Sequence, residues 1–269
     1  MTRALILATT ALTLPLWASL AEEADPVMTK AETISIHAEW SRLLESYVKT
    51  DETGLNRFDY GALKASAEDS ETLDDYVASF EDLDISEMEA NAQFAAWANL
   101  YNALTVKHIV ERYPVKSIRS GYISGPWKRV YAVADGEKVS LDDIEHGILR
   151  EQWDEPRVHY AVNCASYGCP NLMNTALEAD TLEEQLDAGA RAYINHSRGV
   201  TIRSNGTLQV STIYKWFDED FGGSKAKVVE HLLEYAEPEL AEQIRANRKI
   251  TKYEYDWSLN DVEQAMAGR

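Results

Sequence analysis

The chain has 269 residues, and its 45 acidic residues outnumber its 26 basic residues, which gives a formal net charge of −19 at pH 7. A surface this negative repels the phosphates of nucleic acid and the head groups of anionic lipids, so we expect this acidic protein to bind neither. The length, with 45% hydrophobic residues, suffices for one large domain with a sizeable core or for two small domains.

The first 21 residues have the pattern of a secretory signal peptide. Arg3 is positive, residues 4–16 are apolar, and residues 19–21 form a small-x-small cleavage site. The apolar run is shorter than the roughly 20 residues that a spanning helix needs, and no cysteine follows it to carry a lipid anchor. We expect a mature chain that begins at residue 22, is periplasmic or secreted, and has no membrane contact after signal removal.

Helices dominate the predicted structure, because apolar residues recur every three or four positions over most of the chain. The longest predicted helix covers residues 87–113 and ends at Pro114, since the residue before a proline avoids helical angles. Ser86, followed by Glu89, predicts a capping box at its start. The other predicted helices cover residues 31–49, 62–67, 71–80, 141–151, 181–196, 213–217, 225–235 and 237–246.

Two β-hairpins and one central strand interrupt these helices. The dipeptides Asp-Gly at 135–136 and Asn-Gly at 205–206 are typical of hairpin turns. The predicted hairpin strands cover residues 129–133, 138–141, 200–203 and 208–211, and the central strand covers 157–163. Since no repeat or low-complexity linker divides the chain, we predict one mostly helical α+β domain over residues 22–269. The aromatic segment 253–260 is expected to pack back against it.

Residues 157–170 concentrate the reactive side chains. They include the only two cysteines, Cys164 and Cys169, and one histidine, His159. A thiol at the end of a strand, near free backbone amides, can have a lowered pKa and act as a nucleophile if a histidine accepts its proton. On an ideal strand His159 would point to the opposite face, about 16 Å from Cys164. We therefore prefer His146, on the preceding helix, as the base.

Other side chains in these segments are candidates for substrate contact. Asn99 and Asn102 lie one turn apart on the long helix, where they either hold loops and core together or line a cleft. An amide in a cleft could orient the substrate or stabilise an oxyanion. The candidate substrate-binding residues are Trp97, Arg157, His159 and Asn163.

The two cysteines also allow a different interpretation. In an oxidising compartment Cys164 and Cys169 could form a disulfide that closes a tight loop, if their geometry lets the sulfurs meet. Such a loop would contribute less than the roughly 3 kcal/mol of a 15-residue loop. A strained bond of this kind could also be redox-active. A structural disulfide, a reactive Cys164 and a redox pair all remain open.

Motifs for other chemistries are missing from the sequence. There is no glycine-rich phosphate loop, no CxxC, no HExxH and no Gly-x-Ser-x-Gly. Residues 51–56 lack the spacing of a calcium loop, and residues 218–220 have the character of a solvated acidic corner. We expect no metal and no cofactor.

Four blocks of the sequence, in order, resemble the domain-of-unknown-function 547 (DUF547) family over about residues 57–260. The blocks are Trp97–Thr105, Ile144–Arg150, Arg157–Pro170 and Tyr255–Asn260. The resemblance implies a family and not an activity. In plant members a thiol matches Cys164 and a histidine matches His146, but a serine replaces Cys169 and no histidine matches His159. The resemblance thus implies that Cys164 and His146 form a functional pair.

These observations lead to two hypotheses. In the first, the protein is a cysteine-dependent hydrolase or transferase that acts on an amide or thioester bond of a small molecule or peptide. Cys164 is then the nucleophile and His146 the base, while Asn99 or Asn102 supplies the orienting or oxyanion-stabilising amide. In the alternative, the protein is a non-catalytic module that binds a ligand or peptide, and a Cys164–Cys169 disulfide only pins the turn.

Overall fold

The computed structural model of the protein describes residues 35–263, which belong to one compact unit. The predicted signal peptide, residues 1–21, and the predicted domain start at residue 22 lie outside the described residues. Within the described range, no helix combines the length and the apolar character that a bilayer-spanning segment needs.

Helices form most of the described chain, with short strands inserted among them, and the predicted α+β class is confirmed. The helices are α1 (Ala38–Tyr47), α2 (Tyr60–Ala65), α3 (Ala67–Ala78), α4 (Ala90–Arg112), α5 (Arg150–Gln152), α6 (Val158–Ala161), α7 (Leu182–Ile194), α8 (Ile213–Trp216), α9 (Lys225–Tyr235) and α10 (Pro238–Ala246). A π-helix spans Asp143–Leu149, and 3₁₀ turns span Ser79–Asp82, Ile85–Glu87 and Ala179–Thr181. The strands are β1 (Val48–Thr50), β2 (Asn56–Phe58), β3 (Tyr131–Ala134), β4 (Glu137–Ser140), β5 (Val200–Ile202), β6 (Leu208–Ser211) and β7 (Ile250–Glu254).

The long predicted helix is confirmed as α4, and it is buried on almost every side. Sixteen of its 23 residues are buried, as expected for a core helix that other elements surround. Helices α2 and α3 and the π-helix pack against it. The predicted capping box is wrong: Ser86 lies in a separate 3₁₀ turn, and the side chain of Glu89 caps nothing.

Both predicted hairpins are present, with their turns at the predicted dipeptides. Strand β3 pairs antiparallel with β4, and β5 pairs antiparallel with β6. Asp135 and Gly136 have φ angles of 52° and 75°, the left-handed pair that a tight hairpin turn needs. The sequence does not predict two further pairings: β1 pairs with β2, and β7 joins β6 in parallel.

The central strand predicted over residues 157–163 is wrong. Its middle forms helix α6, and the chain becomes extended only at Val162. Every residue of α6 is buried, so this short apolar run has no periodicity that could distinguish a helix from a strand. The argument that His159 and Cys164 point to opposite faces of a strand therefore fails.

The helix predicted over residues 141–151 is present, but most of it is the π-helix, which continues into α5. Wide helical turns of this kind are rare and frequently occur at functional sites. The π-helix carries Glu145, which is buried, and His146, which is half-buried. Since the π-helix packs against α4, both side chains are carried by an element that contacts the core helix.

The aromatic C-terminal segment packs back against the domain, as predicted. The backbone N–H groups of Tyr167 and Gly168 donate to the carbonyl oxygens of Ser258 and Asp256, at 2.7 and 2.8 Å. Leu259 is buried beside them. The segment therefore lies directly against the residues that carry the two cysteines.

Two buried asparagines connect α4 to α6 and to the cysteines. Asn102 Nδ2 donates to the carbonyl oxygen of Ala161 at 2.9 Å, and its Oδ1 accepts from the N–H of Asn163 at 2.8 Å. Asn163 in turn accepts from the N–H of Ala165 and donates to the carbonyl oxygen of Pro170. Because a buried polar group without a partner is costly, these amides fix the course of the chain after α6.

We expect Asn102→Ala to lower the free energy of unfolding by about 2–4 kcal/mol, because it leaves the Ala161 carbonyl and the Asn163 N–H unpaired in the core. Urea denaturation followed by circular dichroism measures this loss. The matched control is Asn91→Ala, which removes an exposed side chain with one 3.5 Å contact to Ala179 and should cost less than about 0.5 kcal/mol. Equal stabilities of the two variants would contradict the role of the Asn102 amide.

Candidate functional site

A cavity of about 340 Å³ brings the thiols and two histidines together. Its wall is formed by the loop before β3, the π-helix, the residues after α6, helix α8 and the C-terminal aromatic segment. Cys164, Cys169, His146 and His159 all line it. The structure therefore places the predicted nucleophile and the predicted base in one cavity, and it adds the histidine that the strand argument had excluded.

The cysteine turn, residues 163–170, presents both thiols on the cavity wall. Ala165 has a φ of 59°, which is uncommon for a residue with a Cβ atom, and the hydrogen bond from its N–H to Asn163 Oδ1 holds it there at 2.8 Å. The backbone N–H of Cys164 donates to the sulfur of Cys169 at 3.1 Å. The turn thus closes on itself and brings the two sulfur atoms into contact.

Both cysteines are free thiols in the structure, so the disulfide that the sequence allows is not formed. Their sulfur atoms lie 2.6 Å apart, whereas a disulfide bond is about 2.05 Å long. The hydroxyl of Tyr255 lies 3.1 Å from the sulfur of Cys164 and 3.0 Å from that of Cys169. Ser166 Oγ is 3.2 Å from the Cys164 sulfur. Hydrogen bonds from Tyr255, Ser166 and the backbone N–H of Cys164 thus surround the two sulfurs.

The surroundings of the pair favour one thiolate. Burial alone would raise the pKa of the Cys169 thiol, but hydrogen bonds from Cys164, Tyr255 and backbone N–H groups outweigh it and lower the pKa to about 7. The pKa of Cys164 is raised, because its S–H donates to the Cys169 sulfur and because it is buried. Burial also raises the pKa of Tyr255 above its ordinary value, so its hydroxyl remains a donor.

A half-buried arginine outside the cavity lining binds the backbone of the cysteine turn. The guanidinium of Arg198 donates to the carbonyl oxygens of Tyr167 and Cys169 and, at 2.8 Å, to Oδ1 of Asn171. Arg198 takes part in none of the ion pairs found among residues 35–263. A positive charge without a carboxylate partner therefore lies next to the thiol whose pKa is lowered.

The two histidines are joined through an ion pair. Arg150 binds the carboxylate of Asp220 with two hydrogen bonds, at 2.6 and 2.8 Å. The same guanidinium lies 2.8 Å from Nδ1 of His146, and the same carboxylate lies 2.6 Å from Nε2 of His159. These hydrogen bonds hold the pKa of Asp220 well below its usual range despite burial. The prediction that residues 218–220 form a solvated acidic corner is therefore wrong for Asp220.

This arrangement gives the two imidazoles different chemistry. Nδ1 of His146 must accept the hydrogen bond of Arg150, because a guanidinium has no acceptor, so its lone pair is occupied. Nε2 of His159 donates to Asp220, which leaves Nδ1 of His159 as a free acceptor. The ring of Phe217 stacks on His159 at 4.0 Å and fixes its orientation. His159 is thus the better base, although in the described part of the chain neither imidazole bonds to a sulfur.

Five of the predicted site residues lie outside the cavity lining. Asn102 and Asn163 hold the cysteine turn, as described above, and Asn99 binds both the N–H and the carbonyl of Leu177. Arg157 forms ion pairs with three carboxylates, those of Glu155, Glu183 and Asp187, and Trp97 is buried in the core around α4. Of these five side chains, only those of Asn102 and Asn163 bind the residues that carry the thiols.

Several cavity residues could not be selected from the sequence. The sequence shows Tyr255 only as part of an aromatic segment, and it shows Asp220, which bonds to the cavity residue His159, only as an acid. Trp127, Trp216 and Trp257 line the cavity from distant parts of the chain, and single tryptophans carry no signal of a site. Within residues 35–263, no group of three His, Cys, Asp or Glu side chains is arranged to hold a metal ion.

Comparison with known proteins gives one match. No curated protein and no solved structure shows significant similarity to the chain. Residues 85–194 match the model of a family described as "Protein of unknown function, DUF547". The matched segment contains α4, the π-helix and the cysteine turn, and therefore three of the four blocks that carry the resemblance in the sequence. This segment of the chain is therefore similar to the DUF547 family.

Proposed function

We propose that the protein is a thiol-dependent enzyme that cleaves a thioester or amide bond and transfers the acyl group to water or to another acceptor. One observation carries the proposal: a hydrogen-bonded thiol pair shares a cavity with an imidazole, His159, that Asp220 holds by its Nε2 atom. Nucleophilic catalysis by cysteine needs a thiol, a base and a group that orients the base. We take Cys164 as the nucleophile because it is the more exposed of the two cysteines.

The reaction would proceed in two steps. The sulfur of Cys164 bonds to the carbonyl carbon of a thioester or amide, its proton passes to Nδ1 of His159, and the imidazole returns the proton to the leaving group. Water or another acceptor then attacks the acyl–sulfur bond by the same route and frees the thiol. The carboxylate of Asp220 stabilises the imidazolium in both steps, because it stays ionised beside Arg150.

The contact between the sulfurs favours a second candidate, thiol–disulfide exchange. The Cys169 thiolate would attack a substrate disulfide and release one substrate thiol. Cys164 would then attack the mixed bond, release the second thiol and leave a Cys164–Cys169 disulfide. Two electrons and two protons pass to the substrate, which is the oxidant. The loop of the cysteine turn already holds the sulfurs 2.6 Å apart, which supports this route.

The setting of the reaction is also part of the proposal. The signal-like pattern of residues 1–21 supports export, so we propose that the enzyme works as a periplasmic or secreted protein. A cavity of about 340 Å³ suits a small molecule or the end of a peptide chain, and we propose a substrate of that size.

We expect an acetyl thioester to acylate the wild-type protein and the Cys169→Ser variant, but not Cys164→Ser, because only Cys164 is placed as the nucleophile. Mass spectrometry of the intact, acid-quenched protein detects the adduct. An adduct of equal yield in Cys164→Ser would contradict the assignment. Oxidised glutathione separates the second candidate: Cys164→Ser, which lacks the resolving thiol, should retain a mixed disulfide at Cys169, whereas the wild type should release glutathione and close its own disulfide.

We expect His159→Gln to slow the release of thiol from the acetyl thioester by about 10²–10⁴-fold, the usual contribution of a general acid–base group. His146→Gln, whose Nδ1 is occupied by Arg150, should cost about tenfold or less. Circular dichroism confirms that each variant is folded. A larger loss of the rate of thiol release in His146→Gln than in His159→Gln would show that the base is His146, as the sequence predicts.

The rate of alkylation by iodoacetamide should rise with pH as the thiolate forms, with its midpoint at a pH of about 7 in the wild type. Tyr255→Phe removes a donor to the thiolate, so the midpoint should rise by about one unit. In the control Tyr253→Phe the lost hydroxyl forms no hydrogen bond within the described residues, and the midpoint should not move. Identical midpoints in all three proteins would contradict the role of Tyr255.

A further inference from the structure

The loop that leads to the cavity has a charge opposite to that of the whole protein. Across the chain 45 of 269 residues are acidic, yet residues 113–134 contain none. The same stretch contains four basic residues, Lys116, Arg119, Lys128 and Arg129. A stretch of this length would carry three or four acids at the average frequency, so this part of the surface is locally positive.

This segment forms one side of the cavity. Trp127, Lys128 and Arg129 line the cavity directly, and the guanidinium of Arg119 lies 4.9 Å from the ring centre of Trp257, which lines it as well. Arg119 and Arg129 are both exposed, and neither takes part in an ion pair among the described residues. Arg129 at the cavity and Arg119 beside Trp257 are therefore two cations with no carboxylate partner among residues 35–263.

The acids around the cavity already have partners. Asp142 faces Lys128 at 3.4 Å, Glu145 is buried and accepts a hydrogen bond from Tyr101, and Asp220 is held by Arg150 and His159. The positive charges of Arg119 and Arg129 therefore remain available to bind an anion. Guanidinium groups bind carboxylates and phosphates with paired, charge-assisted hydrogen bonds.

We propose that the substrate of the thiol carries an anionic group, a carboxylate or a phosphate, which Arg119 and Arg129 bind at the mouth of the cavity. The negative surface elsewhere repels such a molecule, so this mouth is where it is attracted. The apolar part of the substrate contacts an aromatic wall. This wall is formed by Trp216, Trp257 and Tyr255, whose ring centres lie 4.6 to 5.5 Å apart. This inference rests on the thiol-dependent function proposed above.

Two alkylating reagents test it without knowledge of the substrate. Iodoacetate and iodoacetamide deliver the same carbon to sulfur and differ in one negative charge. At fixed pH, we expect the ratio of their rate constants, iodoacetate over iodoacetamide, to fall about fivefold in the double variant Arg119→Gln/Arg129→Gln. Sodium chloride should lower the ratio in the wild type. The control Arg245→Gln/Arg248→Gln removes two exposed charges outside the cavity lining and should leave the ratio unchanged.

The outcomes separate the two proposals. If both reagents alkylate the folded protein but the ratio is the same in the wild type and in Arg119→Gln/Arg129→Gln, the anionic substrate is ruled out and the reactive thiol stands. An equal fall in the control also rules it out, because net charge alone then explains the ratio. If neither reagent modifies the folded protein, the thiol is inaccessible, and both the thiol-dependent function and the anionic substrate are overturned.

Discussion

The site depends on the hydrogen bonds of two buried asparagine side chains. Asn102, on the core helix α4, binds the end of α6, and Asn163 binds the backbone on both sides of the cysteine turn. Both amides are buried, so each hydrogen bond would be expensive to break. They hold a non-glycine residue, Ala165, in a left-handed conformation and thereby bring the two sulfurs together. The close approach of the two thiols is a consequence of core packing.

Two sets of interactions determine the electrostatics of the cavity: the hydrogen bonds to the thiolate and the ion pair of Asp220 with Arg150. The thiolate is stabilised by hydrogen bonds from the partner thiol and from Tyr255, and the guanidinium of Arg198 lies behind it without a carboxylate partner. The carboxylate of Asp220 binds His159 and neutralises Arg150. Arg150 in turn donates a hydrogen bond to His146. Nδ1 of His159 therefore has no hydrogen-bond partner among the described residues and can accept a proton.

The sequence predicted the elements that local patterns encode, such as α4 from its period and both hairpins from their Asp-Gly and Asn-Gly turns. It also selected the cysteines and His146, which the structure places in the lining of one cavity. It failed where long-range packing decides. A four-residue buried run became α6, which reversed the argument against His159. Tyr255 bonds to Cys164 from 91 residues away along the chain, and Asp220 bonds to His159 from 61 residues away, and no local pattern records such contacts.

The most direct test of the central claim is a pH titration of the ultraviolet absorbance of the thiolates in the folded, reduced protein. Shared hydrogen bonds let one proton leave the pair easily and hold the other, so the pair titrates in two separate steps. The account predicts that one thiolate per molecule forms around pH 7 and that the second forms only far above the range of an ordinary cysteine. Two thiolates that form together, at an ordinary pKa of about 8.5, would contradict it.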